Sequence, residues 1–210
     1  MIRRKTALTL FLALALALGL TGCGPSGPDM PMEIQIDGSA IVLGRTTMSD
    51  LTGLGWRAKI TGAQREIRAK AKFVAFHYRL ERTDGSGVQF WASVYVPFQG
   101  KSSGGSADIT QEQAAAGTEG VLYRVEVRME AVQDCDIFYN GVSFQELTTA
   151  HAQRWGGVRE EGRSPAAYSL EAAQGRLEFQ PSDTDADGGL DGLDGLAIVM
   201  SDSAFQELRE

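Results

Sequence analysis

The chain contains no GxSxG, no HExxH, no Walker-type glycine loop and no CxxC, and its only histidines are His77 and His151. Those motifs are the sequence forms of a nucleophile elbow, a zinc hydrolase, a phosphate cradle and a redox pair. Without them, no residue set nominates a nucleophile, a base or a metal centre, and the chain is expected not to be an enzyme. His77 stands between Phe76 and Tyr78 in a β-rich run, and His151 stands in a helical stretch. A histidine in such a position is usually structural or exposed. Paired carboxylates are too numerous to single one pair out, so a hydrolase without a recognisable motif stays open as an alternative.

Positive charge is also short. The chain has 20 Lys+Arg against 27 Asp+Glu, a formal net charge of −7. A domain this acidic is a poor partner for nucleic acid or for an anionic membrane surface. The longest apolar run is too short to span a bilayer. Residues 6–20, TALTLFLALALALGL, carry no charge, but a spanning helix needs about 20 apolar residues.

That run has the length of a signal-peptide core, and MIRRK before it supplies a positive start. Leu20, Thr21, Gly22 and Cys23 follow. An aliphatic residue, two small residues and a cysteine, in that order after such a run, resemble the lipobox of bacterial lipoproteins. The resemblance implies that residues 1–22 are a signal peptide, that Gly22–Cys23 is cleaved, and that Cys23 carries the lipid. It implies a location on the extracytoplasmic face of the cell membrane, held there through the lipid anchor. Two or three acyl chains, at about 0.8 kcal/mol per buried methylene, make such an anchor durable. Losing Arg3, Arg4 and Lys5 takes the net charge from −7 to −10. Residues 24–32, GPSGPDMPM, read as a flexible tether. With Cys23 acylated, Cys135 has no disulfide partner. It reads as a small buried residue, because Asp134 and Asp136 flank it and oppose thiolate formation.

Along the rest of the chain, alternation predicts antiparallel strands. EIQIDGSAIVL (33–43) reads as strand, turn, strand, and WRAKIT (56–61) as a strand. KFVAFHYRLE (72–81) and VQFWASVYVPF (88–98) read as a hairpin closed by TDGSG. The interval 62–71 is polar, and 99–119 reads as a loop. GVLYRVEVRMEAVQ (120–133) alternates, with Leu122, Arg124, Glu126, Arg128 and Glu130 on one face and Tyr123, Val125, Val127 and Met129 on the other. Thr47 with Asp50, and Ser143 with Glu146, each have capping-box spacing ahead of a short helix. Strands are expected again at 166–171, 175–180 and 195–201.

The two halves share an order: apolar strand, glycine, capped short helix, Trp–Gly neighbourhood, strands. The expected fold is α+β: antiparallel sheets with short helices packed on one face, read as a tandem repeat of units at 33–134 and 135–210, with a single domain formed by both as the open alternative. This pattern is similar to that of uncharacterised Gram-positive lipoproteins. It also resembles the helix-on-sheet modules of the β-lactamase inhibitor protein and of outer-membrane assembly lipoproteins, which bind proteins and do no chemistry. The resemblance implies a non-catalytic domain that binds another envelope protein or component. Phe90, Trp91 and Tyr95 are candidate contact residues, although aromatics in strands more often belong to the core.

One stretch has metal-site spacing. In DTDADGGLDGLD (183–194), Asp183, Asp185 and Asp187 take positions one, three and five of a calcium loop. Gly188 takes six, Gly189 offers a carbonyl at seven, Asp191 takes nine and Asp194 takes twelve. The stretch resembles an EF-hand loop, and more closely the dockerin type, with an aspartate at twelve. Against it, both flanks look like strands, and Pro181 opposes an incoming helix. Calcium binding and a solvated acidic turn both remain open.

Overall fold

The computed structural model describes residues 27–68, 71–97, 105–106, 119–160, 167–182, 192–201 and 203–204. The strands are β1 (Glu33–Ile36), β2 (Ser39–Val42), β3 (Trp56–Arg68), β4 (Ala71–Arg82), β5 (Gln89–Pro97), β6 (Gly105–Ser106), β7 (Val121–Arg128), β8 (Ile137–Tyr139), β9 (Val142–Ser143), β10 (Val158–Arg159), β11 (Tyr168–Ala172), β12 (Gly175–Pro181) and β13 (Leu193–Met200). The helices are α1 (Met48–Gly53) and α2 (Thr149–Arg154).

Two antiparallel sheets result. One has four strands in the order β2-β1-β8-β9, the other nine in the order β10-β11-β12-β13-β7-β5-β4-β3-β6. Both cross the expected unit boundary at 134/135, since β1 pairs with β8 and β13 with β7. Their facing sides share one hydrophobic core, from Ile34, Ile36 and Tyr139 of the small sheet to Phe76, Phe90 and Phe179 of the large one.

The fold is mostly β: among the described residues, the α half of the expected α+β class comes down to two six-residue helices and a helical pair at 203–204. α1 starts where Thr47 and Asp50 cap each other: the Thr47 N–H donates to Asp50 Oδ2 at 2.8 Å, and the Asp50 N–H donates to Thr47 Oγ1 at 3.1 Å. Gly55, at φ +86°, ends it. Met48 and Leu51 are its buried face. The second expected helix begins later than the sequence spacing suggests. Ser143 makes no capping bond, Phe144–Glu146 form a single 3-10 turn, and Leu147 is extended. The β-branched pair Thr148–Thr149 favours a cap over a helix interior. His151 Nδ1 accepts from the Thr148 N–H at 3.3 Å.

The small-sheet hairpins use one turn chemistry. Asp37-Gly38 and Asn140-Gly141 all have positive φ. That is the type I′ turn, which matches the twist of the strands it joins. The hairpin read at 72–81 and 88–98 forms as β4 and β5, with the Arg82 N–H donating to Val88 O at 3.0 Å. The polar interval 62–71 is not a break. β3 runs on through Arg68 because Ala71–His77 of β4 offer Gly62–Arg68 a continuous ladder partner. Of the expected loop 99–119, Gly105–Ser106 pair with β3 and Glu119 is described.

The segment 27–32, read from sequence as part of a tether, packs on the domain. The Ala173 N–H donates to Pro28 O at 3.1 Å, the Tyr139 hydroxyl donates to Pro31 O at 3.1 Å, and Met30 and Met32 are buried. Gly27 lies so close to β11 that a Cβ there would stand 2.7 Å from Glu171 O.

Candidate functional site

The large sheet buries one face in the core and turns the other outward. In β4, Phe76, Tyr78 and Leu80 face in, and His77 and Arg79 face out. Strand register then fixes two rows across the outer face. The first runs Lys59, Arg79, Trp91, Glu126, Ala197, Glu178. The second runs Gly62, His77, Ser93, Arg124, Val199, Arg176, Glu171.

Two β-bulges flank the middle of these rows. The register of β3 skips between Ile60 and Gly62, leaving Thr61 as the extra residue. The β5–β7 register skips between Ser93 and Val94, leaving Tyr123 as the extra residue. A bulge kinks its strand and re-aims a side chain. Between the two lies a recess of about 410 Å³ whose walls include Thr61, His77, Trp91, Ser93, Tyr123 and Arg124. The β7 bulge also explains a departure from simple alternation: Leu122 and Tyr123 are both buried, so Leu122 leaves the charged row.

The polar groups of the recess are held by one another. His77 Nδ1 and Ser93 Oγ lie 2.9 Å apart, and Ser93 is 5% exposed. Arg124 donates to Glu126 at 3.0 Å and Arg128 Nε donates to Glu126 at 2.8 Å. Burial raises the Glu126 carboxyl, but the hydrogen bonds and charges of the two arginines outweigh it and hold it below its ordinary value. The Arg128 guanidinium sits 4.4 Å above the Trp91 ring. At the far end Tyr95 and Tyr123 stack with centroids 3.6 Å apart, and Phe73 tilts against Tyr95 at 5.6 Å.

A serine beside a histidine invites a nucleophile reading. Acyl transfer also needs backbone N–H donors converging where the oxyanion forms. Ser93 sits mid-strand, laddered to β4 on one side and β7 on the other. The recess is built to hold polar groups in place.

The residues nominated from sequence lie elsewhere. Cys23 is outside the described residues, as are Asp183, Asp185, Asp187, Gly189 and Asp191. Asp194 is exposed within the extended strand β13. The ends of that stretch meet where the Ser182 N–H donates to Gly192 O at 3.0 Å. Among the described residues, no group of three or more His, Cys, Asp and Glu could hold a metal. Of the three candidate contact aromatics, Phe90 is wholly buried against Trp56, while Tyr95, 4% exposed, and the partly exposed Trp91 both line the recess. His151 caps α2 and stays away from the recess.

Sequence reasoning passed over Ser93 and the pairing of His77 with it. The signal was present, because a hairpin centred on Gly85 places His77 opposite Ser93. The bulges, which make the recess, leave no local signature at Thr61 or Tyr123. No described helix is long and apolar enough to cross a membrane. Compared with protein-family models, curated proteins and solved structures, the chain has no match.

Proposed function

We propose that this chain is an extracytoplasmic lipoprotein, anchored through Cys23, whose domain is a non-catalytic binding module of the cell envelope. The outer-face recess is its binding site. The observation that carries the binding reading is the pair of bulges at Thr61 and Tyr123, which flank a recess of mixed polar and aromatic lining on the outer face of the large sheet. A bulge disrupts the ladder locally, and sheets place such features beside functional surfaces. The anchor reading rests on the ordered signal MIRRK, TALTLFLALALALGL, LTGC.

Packing of residues 27–32 shortens the leash. Only Gly24, Pro25 and Ser26 separate Cys23 from Gly27. At full extension that is about 14 Å. The lipid would thus hold the β11–β12 turn near the head groups and leave the sheet's outer face for a ligand.

The tandem-repeat reading belongs to the same proposal. Supporting it, each half opens with a type I′ hairpin, at Asp37-Gly38 and Asn140-Gly141. Each continues with a threonine-capped six-residue helix that ends at a glycine of positive φ, Gly55 or Gly156.

Two experiments test these readings. Cys23→Ser should accumulate as an uncleaved precursor without lipid label, and processing and membrane retention like the wild type would sink the anchor. A photo-crosslinking amino acid at Trp91 should capture an envelope component that the same probe at Phe138, exposed on the small sheet, does not. Equal labelling from both positions would remove the recess as the binding site.

A further inference from the structure

Charge is matched unevenly across the outer face. On the β7–β12 side, Arg124 meets Glu126 and Glu178, Arg128 meets Glu126, and Arg176 meets Glu160, Glu171 and Glu178. On the β3–β4 side, Lys59 and Arg79 stand directly opposite each other in register. Among the described residues, neither side chain has an ion pair or a hydrogen bond. Like charges directly opposed across strands destabilise a sheet. The next outward pair along the same strands is matched, Arg57 with Glu81 at 3.1 Å. The chain is acidic overall, but residues 56–82 carry eight Lys and Arg against two Glu, and this pair belongs to that basic stretch. It adjoins the recess: Arg79 is the register neighbour of Trp91 and stands two residues from His77 on the same face.

We propose that the recess and the Lys59–Arg79 pair form one site for an anionic saccharide, with the sugar ring among Trp91, Ser93, His77 and Arg124 and its carboxylate or phosphate between Lys59 and Arg79. This names the ligand class of the binding reading above and rests on it. A polyhydroxyl ring needs donors and acceptors on all sides. Thr61 and Ser93 hydroxyls, the His77 imidazole, the Arg124 guanidinium and the Glu126 carboxylate supply both. The Trp91 indole adds an apolar surface. The volume of about 410 Å³ falls within the range of small-ligand pockets. The polar groups are already paired within the protein, and their remaining hydrogen-bonding capacity is what a polyhydroxyl ring would use; a bare anion would leave the recess unfilled. A peptide added as a strand needs a free sheet edge. β4, β5 and β7 each have a partner strand on both sides.

The test is calorimetric titration of the full chain in detergent micelles with glucose 1-phosphate, glucuronate, methyl glucoside and inorganic phosphate. The expected result is that at least one anionic sugar binds about tenfold or more tighter than methyl glucoside and than phosphate, the ratio a charge-assisted hydrogen bond supplies. Glucose 1-phosphate against glucuronate tells which anion the pair receives. The double substitution Lys59→Gln, Arg79→Gln should abolish the preference and leave the neutral sugar unchanged, with its thermal midpoint as the folding control. Trp91→Ala should weaken every sugar. Equal affinity for neutral and anionic sugars, or a preference that survives the double substitution, overturns the assignment. If no sugar binds while the crosslinker at Trp91 still captures an envelope protein, the saccharide assignment falls and the binding reading stands. If both are silent, both fall.

Discussion

The Cys135 thiol donates a hydrogen bond to Asp37 Oδ1 at 3.1 Å, joining residues from the two halves of the chain. Asp37 also accepts from the Asp136 N–H at 3.1 Å and from the Arg82 guanidinium. Arg82 in turn lies over the Trp56 ring at 4.5 Å. One carboxylate in the β1–β2 turn thus ties the small sheet to the end of β4 and to the segment that enters β8. The residue fits the turn for a second reason: its φ is +47°, a region aspartate tolerates better than most side chains do.

Acid should loosen this junction. Burial raises the Asp37 carboxyl, but hydrogen bonds from Cys135, Arg82 and Asp136 outweigh it, and the net shift is downward. Glu126 is lowered by the same kind of balance. A group whose folded pKa is depressed stabilises the fold above its unfolded value, about 4 for a carboxylate, and loses that contribution as pH falls through the folded pKa. Stability should therefore be level near neutrality and decline below about pH 4. Asp37→Asn should lower the midpoint at pH 7 and flatten the acid limb. Thermal unfolding between pH 2.5 and 7 reads both. An Asp37→Asn curve parallel to the wild type would remove Asp37 from the junction.

Thiol titration gives a second check. Burial, then the Asp37 hydrogen bond and charge, push the Cys135 thiol up to about 12. A thiol so held is almost wholly protonated at pH 8 and shielded from reagent. If Cys23 carries the proposed lipid, the native chain should show no reactive thiol to Ellman's reagent, and after denaturation it should show one. Two thiols in denaturant would mean that Cys23 is unmodified, and one in the native state would mean that Cys135 is open.

Much of the fold was legible where a local rule decides it. Asp-Gly and Asn-Gly dictate the tight turns. Thr47 and Asp50 dictate the start of α1. The β4–β5 hairpin follows from alternation closed by TDGSG. What was hidden depends on partners distant in sequence. β3 extends through a polar stretch because β4 ladders it, and the Lys59–Arg79 opposition exists only once that register is set. The α2 start moved because Phe144 and Leu147 are drawn into the core, which a capping-box spacing cannot report. Gly27 through Met32 looked like a linker by composition. Their prolines suit an extended path, and the two methionines fill gaps in the core.

Glycine substitutions separate close packing from simple flexibility. A Cβ at Gly175 would stand 2.2 Å from Val199 O and 2.7 Å from Met32 Sδ. Gly175→Ala should destabilise by about 1–3 kcal/mol, the cost of overpacking. Gly53, in α1, has nothing within 4 Å of its Cβ position and no positive φ. Gly53→Ala should stabilise by up to about 1 kcal/mol through helix propensity. Urea unfolding of the two variants beside the wild type checks both signs. A neutral Gly175→Ala would mean that β12, β13 and the 27–32 segment do not pack this tightly.

Calcium provides the last test, aimed at Asp183, Asp185, Asp187, Gly189, Asp191 and Asp194. In a helix-flanked calcium loop, the twelfth residue closes the cage. Asp194 is instead exposed in β13, one residue after Leu193 pairs with Pro181 across the ladder. Strands, not helices, flank residues 183–194 on both sides, and titration separates calcium binding from a solvated acidic turn. The expected result is an unchanged thermal midpoint in millimolar calcium relative to EDTA. An ion that binds only the folded state must raise the midpoint, since it adds RT ln(1 + [L]/Kd) to the unfolding free energy. A rise in the wild type that disappears in the Asp185→Ala, Asp187→Ala double variant would make residues 183–194 a calcium site. It would also require Asp194, or a water it holds, to reach the ion from the end of a strand.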